Sequence, residues 1–428
     1  MLDIEKIRAD FPILQTQVHN HALIYLDNAA TMQVPNQVLD KVVQHYRESN
    51  ANVHRGMHYL AHCSTNALED ARKRVARFVG APNERGVVFT RGTTDALNMT
   101  ARGLAHLIEP GDRVVVSLME HHSNFVPWQQ LCFERGAEFC IVGLDDSGDV
   151  DLTELELVLS DDASVPRGVM APGIDLPEKP GNVKVVAMTG CSNVLGAVLP
   201  VQKVSDMVHK TGALFVLDAA QLMRHKVVNM AELSCDFMAF SGHKFGAGVG
   251  IGALCGTMEA MELLHPRDFG GEMVDGVEPA QTTFEDLPLR LEAGTPNYVG
   301  AIALATACEY LEQLGRDEVA VYEKKLCERA LNNLQTIEGV HVLGSPNVRA
   351  GLVSFSVDGV HPLDLCTMLD ARGVAMRSGH NCAQPLLTHF GLTSVARMSP
   401  AFYNTLDEID TACELINKTA SIIRRAKV

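Results

Sequence analysis

No apolar run in this sequence approaches the ~20 residues of a membrane-spanning helix, which argues against a helical membrane protein. The first residues, with Asp3, Glu5, Asp10 and Pro12, lack the basic-then-apolar layout of a secretory signal, so a cytoplasmic chain is expected. Basic charge is in deficit. With 36 Lys and Arg against 52 Asp and Glu, the formal net charge is -16, which repels phosphate backbones and anionic lipid alike; neither nucleic acid nor membrane is expected as a partner. Cys-x-x-Cys pairs are missing, and the 11 cysteines form an odd, scattered set, so no disulfide framework and no metal site are expected. Internal repeats and low-complexity tracts are also missing, and a composition of 46% apolar and 21% charged residues argues against disorder.

What is present is an alternation. Short β-rich runs at 86–90, 113–117, 139–143, 183–188, 213–217, 237–241 and 251–255 are separated by helix-period runs. This rhythm predicts an α/β domain with a mainly parallel sheet, whose ligands sit at the C-terminal ends of the strands. After Asn297 two long helical stretches, 300–314 and 317–337, precede short strands near Val340, Leu352 and Val374 and a last helix from about Leu406, the pattern of a smaller α+β domain. The stretch 161–181 holds Pro166, Pro172, Pro177 and Pro180 without sustained periodicity and reads as an irregular surface excursion.

Several short strings at the strand ends carry chemistry. Ser241-Gly242-His243-Lys244 sets one lysine between a serine/histidine pair and a glycine-rich stretch, directly after an apolar run. An amine there, with small neighbours, suits a flat covalent aldehyde cofactor such as pyridoxal 5'-phosphate; a solvated turn lysine fits the string as well. Thr93 and Thr94 open a helix and offer hydroxyls and amides to a phosphate, or serve as ordinary caps. Asp218 closes another apolar run, where a carboxylate keeps a pyridinium nitrogen protonated or caps the next helix, and Gln221 is placed to donate to the ring's phenolic oxygen. His121 and His122 are adjacent, so on an extended backbone at most one touches a cofactor; a plain loop histidine is the alternative.

Cys382 stands apart from the other cysteines. It lies in a Gly/Pro-punctuated loop with His380 and Arg377 near enough in sequence to favour its thiolate, whereas Cys308, Cys327 and Cys413 fall in apolar helical patterns. It reads as a nucleophile. Arg397, the sole charge in a short apolar run, suits a two-point clamp on a carboxylate, with a structural ion pair as the alternative.

In this order the pieces resemble the cysteine desulfurase/selenocysteine lyase family, in its SufS/CsdA-like branch, within the fold-type I (aspartate aminotransferase-like) pyridoxal-phosphate enzymes. The resemblance is carried by Tyr25-Leu26-Asp27-Asn28-Ala29-Ala30-Thr31, Val53-His54-Arg55-Gly56, Arg91-Gly92-Thr93-Thr94, Met119-Glu120-His121-His122, Ser192-Asn193-Val194-Leu195-Gly196, Ser241-Gly242-His243-Lys244, Glu292-Ala293-Gly294-Thr295-Pro296-Asn297 and the Cys382 loop. It implies a large cofactor domain with a mainly parallel seven-stranded sheet at 31–297 and a small α+β domain at 298–428, which the segment 1–30 joins. It also implies pyridoxal 5'-phosphate as cofactor, with Lys244 as the Schiff-base lysine, Asp218 on the pyridine nitrogen and His121 stacked on the ring. Gln221 and Asn193 lie near the ring oxygen and substrate, Thr93, Thr94, Ser241 and His243 hold the phosphate, and Thr295 reaches the phosphate of a second subunit, making a homodimer. Arg397, Arg377 and Ala29, with Asn193, bind substrate, and Cys382 accepts sulfur.

The reaction so implied converts L-cysteine to L-alanine with a persulfide on Cys382, passed to an acceptor protein for iron–sulfur or other thio-cofactor assembly. Selenocysteine lyase is the alternative activity. A non-catalytic sulfur carrier is the reading from another class, and a colourless protein would mark it. The chain departs from the family pattern at Ala247-Gly248-Val249-Gly250, at Gly190-Cys191 and at Pro400.

Overall fold

The computed structural model describes residues 2–160 and 167–426. A seven-stranded sheet runs in the spatial order Val87–Thr90, Gly252–Gly256, Phe237–Ser241, Leu214–Asp218, Val183–Thr189, Arg113–Ser117 and Glu138–Val142. All its pairings are parallel except the two made by Gly252–Gly256, which is antiparallel to both neighbours. The reason is length: residues 242–251, between that strand and the one before it, are too few for a parallel crossover. The same short connection carries Lys244.

The strands are apolar between their ends, apart from Lys184, because both faces are covered. Along Leu214–Asp218 the period of two sends Phe215 and Leu217 into one core layer, with Met238 and Phe240, and Val216 into the other, with Phe237 and Ala239. A third core lies in the C-terminal part. There an antiparallel sheet in the order Val340–Val342, Val353–Val357, Val395–Met398 and Arg377–Gly379 is covered by the helices Arg316–Gln335, Pro362–Asp370 and Leu406–Ala426. Leu26 is buried in this third core, and Ile24–Tyr25 pairs in parallel with Val374–Ala375. The strands Arg377–Gly379 and Val395–Met398 escaped the sequence reading because Gly379 and the two arginines break their apolar alternation.

Residues 161–166 of the predicted excursion, Pro166 included, lie outside the described residues. From Arg167 onward it is irregular and pinned to the edge strand. Arg167 Nη2 reaches Glu138 Oε2 at 2.8 Å, the Gly168 amide donates to Glu138 Oε1 at 2.5 Å, and Val169 bridges Phe139. Glu138 begins its strand, so this anchor sits at the N-terminal edge of the sheet, opposite the edge that ends in Asp218 and Ser241.

Candidate active site

The C-terminal strand ends open on a cavity of about 170 Å³ lined by Thr93, Thr94, His121, Asn193, Asp218, Gln221, Ser241, His243 and Lys244, with Cys191 and Thr189. Thr93, Thr94, Ser241 and His243 also line a wider cleft of about 530 Å³ that Arg91, Arg102 and Arg267 border. The predicted cofactor residues therefore converge, with one exception. Thr295 faces a separate cleft with Arg91, Gly250 and Asn297.

Lys244 ends a tight turn, Gly242–Lys244, and its Nζ donates to the Ala29 carbonyl at 2.5 Å, an oxygen that Gln221 Nε2 also reaches at 2.7 Å. Burial, then the Arg397 charge, holds the ammonium pKa down at about 7, against a pull upward from Asp218. The amine is thus partly neutral at neutral pH. Asp218 is 3% exposed; burial pushes its carboxyl up to about 6, while the Ala220 amide at 2.9 Å and the Lys244 charge oppose that. It caps no helix, since the next one, Leu222–His225, begins after Gln221.

The adjacent histidines part, as their alternation requires. His121 faces the cavity, and its Nδ1 accepts the Ser123 amide at 3.1 Å, which leaves the ring proton on Nε2. Burial and the Lys244 charge lower its pKa to about 4, so the ring is neutral. His122 turns instead to the Cys382 loop: its amide donates to the Cys382 carbonyl at 2.7 Å, and its Nε2 accepts the Gln384 amide at 3.2 Å.

The cup expected to hold phosphate has no capping side chain at its own helix start. Helix Thr93–Gly103 starts at Gly92, whose φ of 148° suits glycine, and a Cβ there would meet Ser241 Oγ at 3.0 Å. Ser241 Oγ takes the Thr93 amide at 2.7 Å, and Thr94 Oγ1 lies 2.6 Å from Ser123 Oγ. His243 is neutral, its pKa lowered to about 4 by burial and the Lys244 charge.

Arg397, expected to bind substrate, is buried in Val395–Met398 directly opposite Arg377. Like charges in that register repel. Asp27, which the sequence reading left without a role, lies between them: Arg397 Nη2 reaches Oδ1 at 3.2 Å and Arg377 Nε reaches both oxygens at 3.1 Å. Arg397 Nη1 also donates to the Asn193 carbonyl at 2.8 Å, while its Nε and Asn193 Oδ1 are buried without partners. Behind the cavity a second unforeseen group joins Arg224, His225 and Glu323. Arg224 Nε lies 3.1 Å from Glu323 Oε1, His225 Nδ1 lies 2.7 Å from Oε2, and Arg224 Nη2 donates to the Pro400 carbonyl at 3.2 Å, which gives that departure a contact. At another departure, Cys191 lines the cavity with its thiol pKa pushed up to about 12 by burial.

Cys382 is exposed, whereas the other cysteines are buried apart from the half-buried Cys63. The two groups expected to favour its thiolate are engaged elsewhere: His380 Nδ1 accepts the Cys382 amide at 3.0 Å, and Arg377 pairs with Asp27.

The aminotransferase class-V family model matches residues 24–166 and 179–411. The chain belongs to that family. The break in the match falls within the excursion at the far edge of the sheet. Among similar members, a probable cysteine desulfurase of Halalkalibacterium halodurans is 40% identical over 420 residues, covering 98% of both chains. Two solved structures share the fold. The cysteine desulfurase CsdA of Escherichia coli has a TM-score of 0.87 at 32% identity, covering 99% of each chain. A cysteine desulfurase of Thermococcus onnurineus NA1 has a TM-score of 0.88 at 35% identity, covering 98% of each. This family member thus has the aspartate aminotransferase-like, fold-type I architecture.

Its residues fit pyridoxal 5'-phosphate. A buried, partly neutral lysine faces a buried carboxylate, a hydroxyl-lined cup is kept open by Gly92, and Asn193 Oδ1 has an unmet hydrogen-bonding capacity.

Proposed function

We propose that this chain is a pyridoxal-phosphate-dependent cysteine desulfurase that converts L-cysteine to L-alanine and takes the sulfur onto Cys382 as a persulfide. The observation that carries this reading is the exposed Cys382 loop, bound through His122 and Asn193 to the wall of the Lys244–Asp218 cavity. The curated relatives are named cysteine desulfurases, which favours L-cysteine over L-selenocysteine.

Lys244, Asp218, His121, Gln221, Thr93, Thr94, Ser241 and His243 hold the cofactor, with Thr295 reaching the cup of a second copy in a homodimer. When bound, the cofactor supplies an electron sink for charge developing at the substrate Cα. Arg397 and Arg377 bind the substrate carboxylate beside Ala29 and Asn193, which fixes the Cα bonds relative to the cavity. Lys244, with its lowered pKa, takes up the Cα proton. The Cys382 thiolate attacks the substrate sulfur, the C–S bond breaks, and the carbon product leaves as alanine once protonated. The persulfide passes to an acceptor protein of iron–sulfur or other thio-cofactor assembly in the cytoplasm. We also divide the chain into a cofactor domain at 31–297 and a small domain at 298–428 that 1–30 joins.

Purified protein given L-cysteine and a reductant should release alanine and sulfide, and without reductant carry one added sulfur atom on Cys382. Cys382→Ala should keep the cofactor's visible absorbance and lose most alanine release; unchanged turnover would overturn the assignment. Borohydride should attach the cofactor covalently to wild type and not to Lys244→Ala.

A further inference from the structure

His122 is the member of the Met119-Glu120-His121-His122 string whose ring serves the nucleophile loop. The helix Gln384–His389 begins two residues after Cys382, and Ala383 at its cap has no side-chain oxygen to offer. Its first amide, that of Gln384, is met from across the fold by His122 Nε2 at 3.2 Å. The His122 amide holds the Cys382 carbonyl at 2.7 Å, and Asn193 Nδ2 holds the Asn381 carbonyl at 2.6 Å.

These contacts bracket unusual backbone. Asn381 and Cys382 are consecutive left-handed residues, φ 50° and 55°, a conformation that Cβ-bearing residues resist. Such a conformation persists when its surroundings hold it. The three holds come from residues that follow strands of the large sheet, so the nucleophile's position depends on contacts made across to the cavity wall. An Nε2 that accepts requires a neutral ring protonated on Nδ1; burial and the His380 ring 5.7 Å away, which lower its pKa, favour that form.

We infer that His122 is a positioning residue, which fixes the Cys382 loop over the cofactor cavity by capping the helix behind it and holding the Cys382 carbonyl. The inference rests on Cys382 as the sulfur acceptor. In the holoenzyme, His122→Phe keeps a flat ring without the acceptor, whereas His122→Gln sets an amide oxygen near the place of Nε2. Visible absorbance should report full cofactor loading in both. In His122→Phe, hydrogen exchange at the amides of residues 382–384 should quicken. Its kcat for L-cysteine should fall about three- to tenfold with KM unchanged, the loss of one hydrogen bond made at the nucleophile rather than in substrate binding. His122→Gln should recover most of both.

Wild-type exchange and kcat in His122→Phe would overturn the inference, as would a glutamine variant no better than phenylalanine. If His122→Phe does not fold, His122→Asn, too short to reach Gln384, takes its place against His122→Gln under the same criteria. A wild-type protein that releases no alanine would sink the desulfurase reading, while the exchange comparison would still decide whether His122 clamps the loop.

Discussion

At the residue scale, the cavity is a set of groups moved from their ordinary protonation. Lys244 is held near pKa 7, Asp218 is raised to about 6, and His121 and His243 are lowered to about 4. Burial is the first cause in each case; the next is the Arg397 charge for Lys244, the Ala220 amide for Asp218 and the Lys244 charge for both histidines. Because only the neutral amine attacks an aldehyde, reconstitution of cofactor-free protein with pyridoxal phosphate should speed up about tenfold per pH unit below 7 and level off above it. A rate still climbing near pH 10 would contradict the lowered lysine. Arg397→Leu removes the second cause, so the midpoint should move upward. These residues stood out in the sequence because each closes or closely follows an apolar strand, a local signal. That His121 rather than His122 turns to the cavity was not legible in the string itself and came only from the family resemblance, since it depends on how the helix His122–Arg135 follows its strand.

At the element scale, buried ion pairs join segments that the chain keeps far apart. Arg72, in helix Tyr59–Val79, donates to Glu292 Oε1 at 2.7 Å and Oε2 at 3.0 Å, and Oε1 also takes the Phe89 amide at 2.6 Å. Glu292→Ala leaves a guanidinium buried and a strand amide unpaired. Thermal or urea unfolding should show a loss of about 3–5 kcal/mol, and Arg72→Met,Glu292→Met together should cost less than Glu292→Ala alone. The sequence presented Glu292 only as the first letter of a motif before Thr295. Its work as a strut between the helix and the strand Val87–Thr90 is a tertiary fact. Asp27 has the same character: one carboxylate lets Arg377 and Arg397 face each other on neighbouring strands.

At the scale of the whole molecule, large apolar side chains stand in solvent, some of them on the clefts that hold Thr93 and Thr295. Met57 is 91% exposed, Val249 is 80% and Phe269 is 69%; Val249 lines the cleft of Thr93 and Phe269 the cleft of Thr295. A second copy seated there would complete the proposed homodimer. Sedimentation of the holoprotein should give twice the chain mass, and Phe269→Glu with Met57→Glu should yield monomers that lose cofactor; monomers with full turnover would refute a shared site. The excursion at 167–181 is anchored on the opposite edge of the sheet, so its removal should leave alanine release unchanged.

By itself the sequence determined the alternating fold, the strand-end placement of Lys244, Asp218 and Thr93-Thr94, and the singular loop of Cys382, because periodicity and turn chemistry act over a few residues. Only the tertiary structure decided that Asp27 sits between two arginines, that Arg224 and Glu323 pair behind the cavity, and that His122 holds the Cys382 loop. Those contacts join residues up to hundreds of positions apart, and no local pattern encodes the register that brings them together.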